Sequence, residues 1–405
     1  MRAAGPNVRS VSDSAQPAAP ERKVTALELF FDLVFVFALT QVTALMAADP
    51  TWLGLLRGMA VLTVLWWAWV AYVWIGTTTD ADDGLARIVM LAAMGAMFLT
   101  ALAAPGAFGT LGDVAGGSRD QAMLFGITYL GVRVAHVLLF RVIGRSDPGV
   151  GSAVRRLAPG LLVGSFLILV AAFVPPGWPR GLLWALAITI DVGAPLVAGT
   201  KGWALSPHHF AERHGLVIII ALGESLVALG VGVADQLYDV RTFIAVLVGF
   251  TSVACLWWLY FDVVAIAAER RLASIEPELR NGLARDSYNY LHLPMVAGIV
   301  LLALGLKKSF ADIDSPLKLT VATALFGGVA LYLLGHLLFR KRNMGSWNVQ
   351  RAVVMVLLLA LIPVGVVAPA WVSLVVLMSV LLALVTYETL HFAPWRRHLR
   401  SAHHD

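Results

Sequence analysis

Runs of about twenty apolar residues recur along nearly the whole chain, and that is the length an α-helix needs to cross bilayer hydrocarbon. Inside a bilayer every backbone N–H and C=O must be satisfied by the protein itself, so only helices and closed barrels are viable. The alternating ten-residue segments of an outer-membrane barrel are missing, which leaves an all-α polytopic integral membrane protein. Composition agrees: the 405 residues are 59% hydrophobic and only 14% charged, with a mean hydropathy of +0.80. A soluble domain carries roughly one quarter charged residues.

The apolar pattern predicts twelve spans, at 27–47, 53–75, 86–104, 121–143, 154–174, 181–199, 213–233, 243–266, 286–306, 317–339, 351–370 and 372–392. Helix breakers fall between them: Asp49-Pro50, Gly76 with Asp80, Asp82 and Asp83, Pro105-Gly106, Asp147-Pro148-Gly149, Pro175-Pro176-Gly177 and Ser206-Pro207. Residues 1–23 are polar and rich in Ala, Pro and Ser, without a signal peptide's apolar core. They read as a disordered cytoplasmic tail, with the first helix serving as its own uncleaved signal. Residues 396–405 read as a second, short cytoplasmic tail. Of the 30 Lys and Arg, 22 fall on the tails and even-numbered connections and 7 on the opposite side, with Arg133 inside a helix. Basic residues mark cytoplasmic loops, so both termini are expected inside. The opposite loops carry acids instead, among them Asp49, Asp113, Asp235, Asp239 and Asp312.

Two parallel six-helix repeats are expected, 24–200 and 201–395. Phe37-Ala38-Leu39-Thr40-Gln41 aligns with Ile220-Ala221-Leu222-Gly223-Glu224, Trp66-Trp67 with Trp257-Trp258, and Arg87 with Arg285. His136 followed by Phe140-Arg141 aligns with His336 followed by Phe339-Arg340, and Arg156 through Trp178 with Arg351 through Trp371. An even number of helices per repeat makes the copies parallel, a plan transporters use with sites at the repeat interface.

Ionisable groups at membrane depth are costly, and each marks a candidate for transport or for a buried polar contact. Glu28 and Asp32 are four apart and share one face of the first span; a helix N-terminal cap also accounts for a carboxylate at this position. Arg285, Tyr288, Asn289 and His292 follow i, i+3, i+4, i+7 and predict one polar stripe, with Pro294 freeing a carbonyl of the preceding turn. Arg133 and His136 are three apart, and His336 occupies the repeat-equivalent position of His136. The acids available to Arg133 are Asp32, Asp191, Glu224, Asp262 and Glu388, and sequence leaves the pairing open. Glu224 lies mid-helix, where a cap cannot explain it. His214 is expected to face the interface, and the paired tryptophans, with Trp69 and Trp74, to serve as packing or interfacial anchors.

Other chemistries lack their signatures. Cys255 is the single cysteine, which excludes a disulfide framework and a cysteine-based metal site. His208, His209, Glu212 and His214 cluster in a connection without His-Glu-x-x-His spacing, and His403 and His404 sit in a tail, so no metal site is expected. No nucleophile elbow, phosphate loop or dinucleotide fingerprint is present, and no cofactor is implied. The net charge of +5 belongs to the loops, and no basic groove for nucleic acid is found.

Glu28-Leu29-Phe30-Phe31-Asp32-Leu33-Val34-Phe35-Val36 resembles the opening signature of the bacterial low temperature requirement protein A family. His214-Gly215-Leu216 through Leu222-Gly223-Glu224-Ser225, Trp257-Trp258-Leu259-Tyr260-Phe261-Asp262 and Tyr290-Leu291-His292-Leu293-Pro294 are similar to its later segments, across residues 24–392. The resemblance implies a multi-pass protein of the bacterial plasma membrane, named for growth in the cold, with no established biochemical activity. A weaker architectural likeness is to potassium channels of two six-helix repeats whose first helix bears Phe-Ser-Asp. Phe30-Phe31-Asp32 lacks that serine, and Gly215 stands where the second Asp would align.

The leading functional expectation is permeation of an ion or small solute between the repeats, with membrane lipids as surroundings and a homo-oligomer left open. The alternatives are a membrane-embedded stress sensor or scaffold, and an intramembrane enzyme acting on lipid.

Overall fold

The computed structural model describes residues 24–78, 84–109, 119–203, 205–233 and 240–393. Both tails, Asp80, Asp82 and Asp83 of the first connecting acids, Asp113, Asp235, Asp239, and His403 and His404 lie outside the described residues. Twelve helices are long and apolar enough to cross a membrane: α1 Ala26–Ala48, α2 Trp52–Thr77, α3 Ala86–Gly106, α4 Arg119–Ser146, α5 Pro148–Phe173, α6 Trp178–Ala198, α7 Pro207–Gly232, α8 Val240–Ser274, α9 Pro277–Ala311, α10 Leu319–Met344, α11 Val349–Val367 and α12 Ala370–His391. Among the described residues no strand occurs, only an isolated bridge between Pro316 and Pro369.

Local chemistry sets the ends. Thr25 and Glu28 form a reciprocal capping box at the start of α1, each satisfying a backbone N–H of the other. The expected Asp147-Pro148-Gly149 break instead starts α5: Asp147 Oδ1 accepts from the N–H groups of Gly149 and Val150, and Pro148 occupies a first-turn position where its missing donor costs nothing. Asn348 caps α11 by accepting from Arg351 N–H at 3.1 Å.

Two helices are longer than their apolar cores. The eighth span, expected at 243–266, runs to Ser274 with a break at Asp262–Val263. The ninth, expected to begin at 286, begins at Pro277. Their polar extra turns read as loop in a hydropathy pattern, because the pattern measures hydrocarbon depth rather than helix length. A stretch of α9, Ala284–Tyr290, is wound as a π-helix, and so is Thr323–Gly327 of α10. Such wide turns concentrate at functional sites.

The two halves share a packing order. α3 lies on α4, α4 on α5 and α5 on α6, while α6 returns to α2; α9 lies on α10, α10 on α11, and α12 returns to α8. The seam between halves is made by α1 against α7 and α9. Burial follows this plan: in the eighteen-residue apolar stretch of each span, 83% of α2 and 72% of α9 and α10 is enclosed, against 17% for α6 and α11, whose apolar sides face outward. α9 and α10 cross with no room for side chains. A Cβ on Gly298 would sit 2.4 Å from the Gly328 carbonyl, and one on Gly328 would sit 2.8 Å from the Gly298 carbonyl. Small residues at a crossing let helix backbones approach where apolar burial alone gives no drive.

Candidate functional site

Near the end of the bundle where α1 and α7 begin, one guanidinium organises the seam. Arg213 of α7 is 1% exposed and bridges both acids of α1, with Nη1 3.0 Å from Glu28 Oε1 and Nη2 donating to Asp32 Oδ1 at 2.7 Å. Glu28 and Asp32 share a face, as their four-residue spacing requires, which lets a single fork reach both. His209 Nε2 lies 3.1 Å from Glu28 Oε2, and the Trp69 indole of α2 donates to Asp32 Oδ1 at 2.8 Å. Asp32 Oδ2 is buried with no hydrogen-bond partner. The α2 backbone comes so close that a Cβ on Gly76 would meet Glu28 Oε1 at 1.9 Å. Glu28 is therefore both a helix cap and a buried ion-pair member.

A row of rings continues sideways from this fork. His214 is fully buried against Trp69, Phe210, Tyr288 and His292, with ring centres 4.5–5.3 Å away. The expectation that it faces the interface fails, because its helix turn points into the seam. Its Nδ1 lies 2.9 Å from the Phe210 carbonyl, which can only accept, so the hydrogen is on Nδ1, and Nε2 has no partner. By the same argument His292 Nδ1 donates to Ser287 O at 3.1 Å, and in the neutral ring Nε2 accepts from the Tyr260 hydroxyl at 2.8 Å. Tyr288 stacks on His292 at 5.1 Å, and its buried hydroxyl has no partner.

The polar stripe expected on the ninth span is divided by the π-turn, which shifts register within it. Tyr288 and His292 face the seam. Arg285 faces away, donates to Asp286 Oδ1 at 2.7 Å and is half-buried. Asn289 bridges the two surroundings: its carbonyl accepts from Trp66 Nε1 at 2.8 Å and its side-chain oxygen from Trp74 Nε1 at 3.4 Å. Pro294 has no N–H for the Tyr290 carbonyl one turn earlier, while the Trp66 indole serves the carbonyl of Asn289. The tryptophans expected to be plain anchors are thus donors to the buried acid and the broken helix.

Two further arginines clamp the flanks. Arg133 of α4, fully buried, pairs with Asp191 of α6 and donates to Tyr129 Oη at 3.0 Å and to the Trp67 carbonyl at 3.0 Å. Arg351 of α11 donates to Glu388 of α12 at 2.8 and 2.9 Å, to His336 Nδ1 at 2.8 Å and to the Leu259 carbonyl at 3.1 Å. His136 packs against Tyr72 and Phe140 with neither ring nitrogen bonded to a side chain. Asp262 stands at the α8 break and, with His336, Arg351 and Glu388, lines a cavity of about 410 Å³.

Glu224 stands apart, eleven residues beyond Arg213 and so about 16 Å further along α7. It is 2% exposed, accepts from Thr40 Oγ1 of α1 at 2.5 Å, and has no cation at ion-pair distance among the described residues. No group of three or more metal-binding side chains occurs among the described residues. Sequence reasoning named both seam acids but missed Arg213 and Arg351, which look like ordinary loop charges at span ends. It took Trp69 for an anchor and gave Tyr260 no role, because their donors are invisible in an apolar run.

Known proteins offer a family and no mechanism. The chain is 28% identical over 337 residues to an uncharacterized protein of Rhizobium meliloti (strain 1021), covering 79% of this chain and 78% of that one. No solved structure matches it. Residues 23–386, which include the Arg213 fork, the ring row and Glu224, match the family described as bacterial low temperature requirement A protein, and the chain belongs to that family.

Proposed function

We propose that this protein lets a proton or small cation cross the bacterial plasma membrane along the seam where α1 meets α7 and α9, with Asp32 and Glu224 as its charged stations. The observation that carries the reading is Glu224: a carboxyl enclosed at mid-span, held by a threonine hydroxyl and with no cation within ion-pair distance among the described residues. A carboxylate in that setting is stable only when protonated or joined by a cation, and either state makes it an exchange site. The half-satisfied Asp32 lies on the same seam.

In this reading the chain comprises two parallel repeats, 24–200 and 201–395, with both termini cytoplasmic. The matching packing order of the halves supports it, as do the flanking clamps. Arg133 reaches the acid of α6 and the carbonyl of Trp67; Arg351 reaches the acid of α12 and the carbonyl of Leu259, and Trp67 and Leu259 lie on the sequence-matched helices α2 and α8.

The test is ion flux into proteoliposomes under imposed pH, sodium and potassium gradients, comparing wild type with Asp32→Asn and Glu224→Gln. Loss of flux in either variant, with folding and insertion retained, supports the assignment. Unchanged flux in both removes it. A second reading, a membrane scaffold or sensor, is favoured by the saturation of Arg351, which ties α8, α10, α11 and α12 together. Absence of wild-type flux under every gradient, from folded protein, selects that reading.

A further inference from the structure

The two flanking clamps each border a cavity, and the cavities differ in what fills them. Beside Arg133, the space enclosed by Trp67, His136 and Phe140 shrinks to about 50 Å³ because two indoles occupy it. Trp74 and Trp203 meet there at 5.4 Å between ring centres, and Trp203 rests on Phe140 at 4.9 Å. Beside Arg351, the corresponding space between Trp258, His336 and Phe339 is about 410 Å³ and holds no such ring. The sequence match of Trp66-Trp67 to Trp257-Trp258 places Ala265 where Trp74 stands in the first half. Beyond the break at Asp262–Val263 only small side chains, Val264, Ala267 and Ala268, line the space. A volume of this size suits a small ligand.

The unused hydrogen-bonding atoms around the space define its chemistry. Arg340 spends Nε on Ser346 at 3.2 Å; its terminal nitrogens make no hydrogen bond and meet no carboxylate within ion-pair distance among the described residues. His336 accepts from Arg351 at Nδ1, so its hydrogen is on Nε2, which has no partner. Asn343 is 5% exposed; its amide nitrogen serves Ser287 and Phe339, and its oxygen is unpaired. Arg351 and Glu388 already satisfy each other. The Asp262 carboxylate is also on the wall, and its Oδ1 makes no hydrogen bond; the unspent N–H groups of Arg340 and His336 still outnumber the acceptor oxygens of Asn343 and Asp262, in a space otherwise walled by Leu259, Val264, Ala267 and Phe392.

We propose that this cavity binds an amphiphile with a single oxyanion head, phosphate or carboxylate. The head is held by Arg340 and His336, a singly ionised phosphate also donating its P–OH to Asn343, and the apolar body lies where the first half places Trp74 and Trp203. The site does not depend on ion flux, and its test is separate.

Binding is measured on the full-length protein in neutral detergent by ligand-induced thermal shift and by native mass spectrometry. The probes are dioleoyl phosphatidic acid, decanoate, the uncharged decanol, and inorganic phosphate. The two anionic amphiphiles are expected to raise the melting temperature, while decanol and inorganic phosphate do not. Arg340→Gln is expected to weaken binding about tenfold, the scale of a charge-assisted contact. Ala267→Trp, which refills the space with an indole, is expected to abolish binding while leaving the unliganded melting temperature near that of wild type. Decanol binding as well as decanoate, or both variants binding as wild type does, overturns the site. Inorganic phosphate competing at equal concentration overturns the amphiphile and leaves a soluble oxyanion as the ligand.

Discussion

Arg213 and Asp32 meet at 2.7 Å across 181 residues of sequence, and through that contact the first helix of one half is tied to the first helix of the other. Neither residue is more than 3% exposed, so the pair has no solvent to fall back on. Removing one member of a buried pair costs about 3–5 kcal/mol, because the other is left charged and unpaired. Arg213→Met should therefore destabilise strongly, and the triple variant with Glu28→Gln and Asp32→Asn should recover much of the loss. Thermal unfolding in detergent decides this: a single variant as stable as wild type would refute the picture of a compensated fork.

Trp66 reaches from α2 into the widened stretch of α9, where its indole donates to Asn289 O at 2.8 Å. Trp66→Phe keeps a ring in place and leaves that buried carbonyl unsatisfied, at about 1–3 kcal/mol. Unfolding free energy in detergent measures the loss, and a variant as stable as wild type would speak against the bond.

Acids at the two kinds of pair should differ in weight. Asp191 is buried with Arg133, whereas Asp286, paired with Arg285 and Arg342, is 31% exposed. Asp191→Asn is expected to lower stability by about 3 kcal/mol or more. Asp286→Asn is expected to change it by about 0–1 kcal/mol, since water and salt screen an exposed pair. Equal effects in parallel melts would contradict the burial argument.

The number of spans followed from the apolar runs because hydrocarbon thickness imposes one length on every crossing. Helix ends did not, since Pro277–Leu283 and the last turns of α8 lie beyond the apolar part and carry charge. Candidate acids at Glu28, Asp32, Asp191, Glu224 and Glu388 stood out by residue type alone, and all five are enclosed or nearly so. Their partners did not stand out, because pairing is a property of helices distant in sequence. Arg213 and His214 sit about two turns inside a span that begins six residues earlier than its apolar stretch, so both looked interfacial. The stripe on α9 misled for another reason: a period of 3.6 is valid only within one kind of helix, and the chain changes winding at Ala284.

That change of winding has a mechanical consequence. A π-turn stores one surplus residue, and a straight α-helix of the same sequence would set everything beyond it round by about 100°. His292, Ser225's contact at Ile299 and the Gly298 crossing all lie beyond the first wide turn, and the second, in α10, precedes the partner glycine Gly328. The two most enclosed helices of the second half thus hold matched slack at opposite ends of their shared crossing. Taking up that slack in one helix would unseat the crossing unless the other took up its own, so the two behave as a geared pair rather than as independent rods.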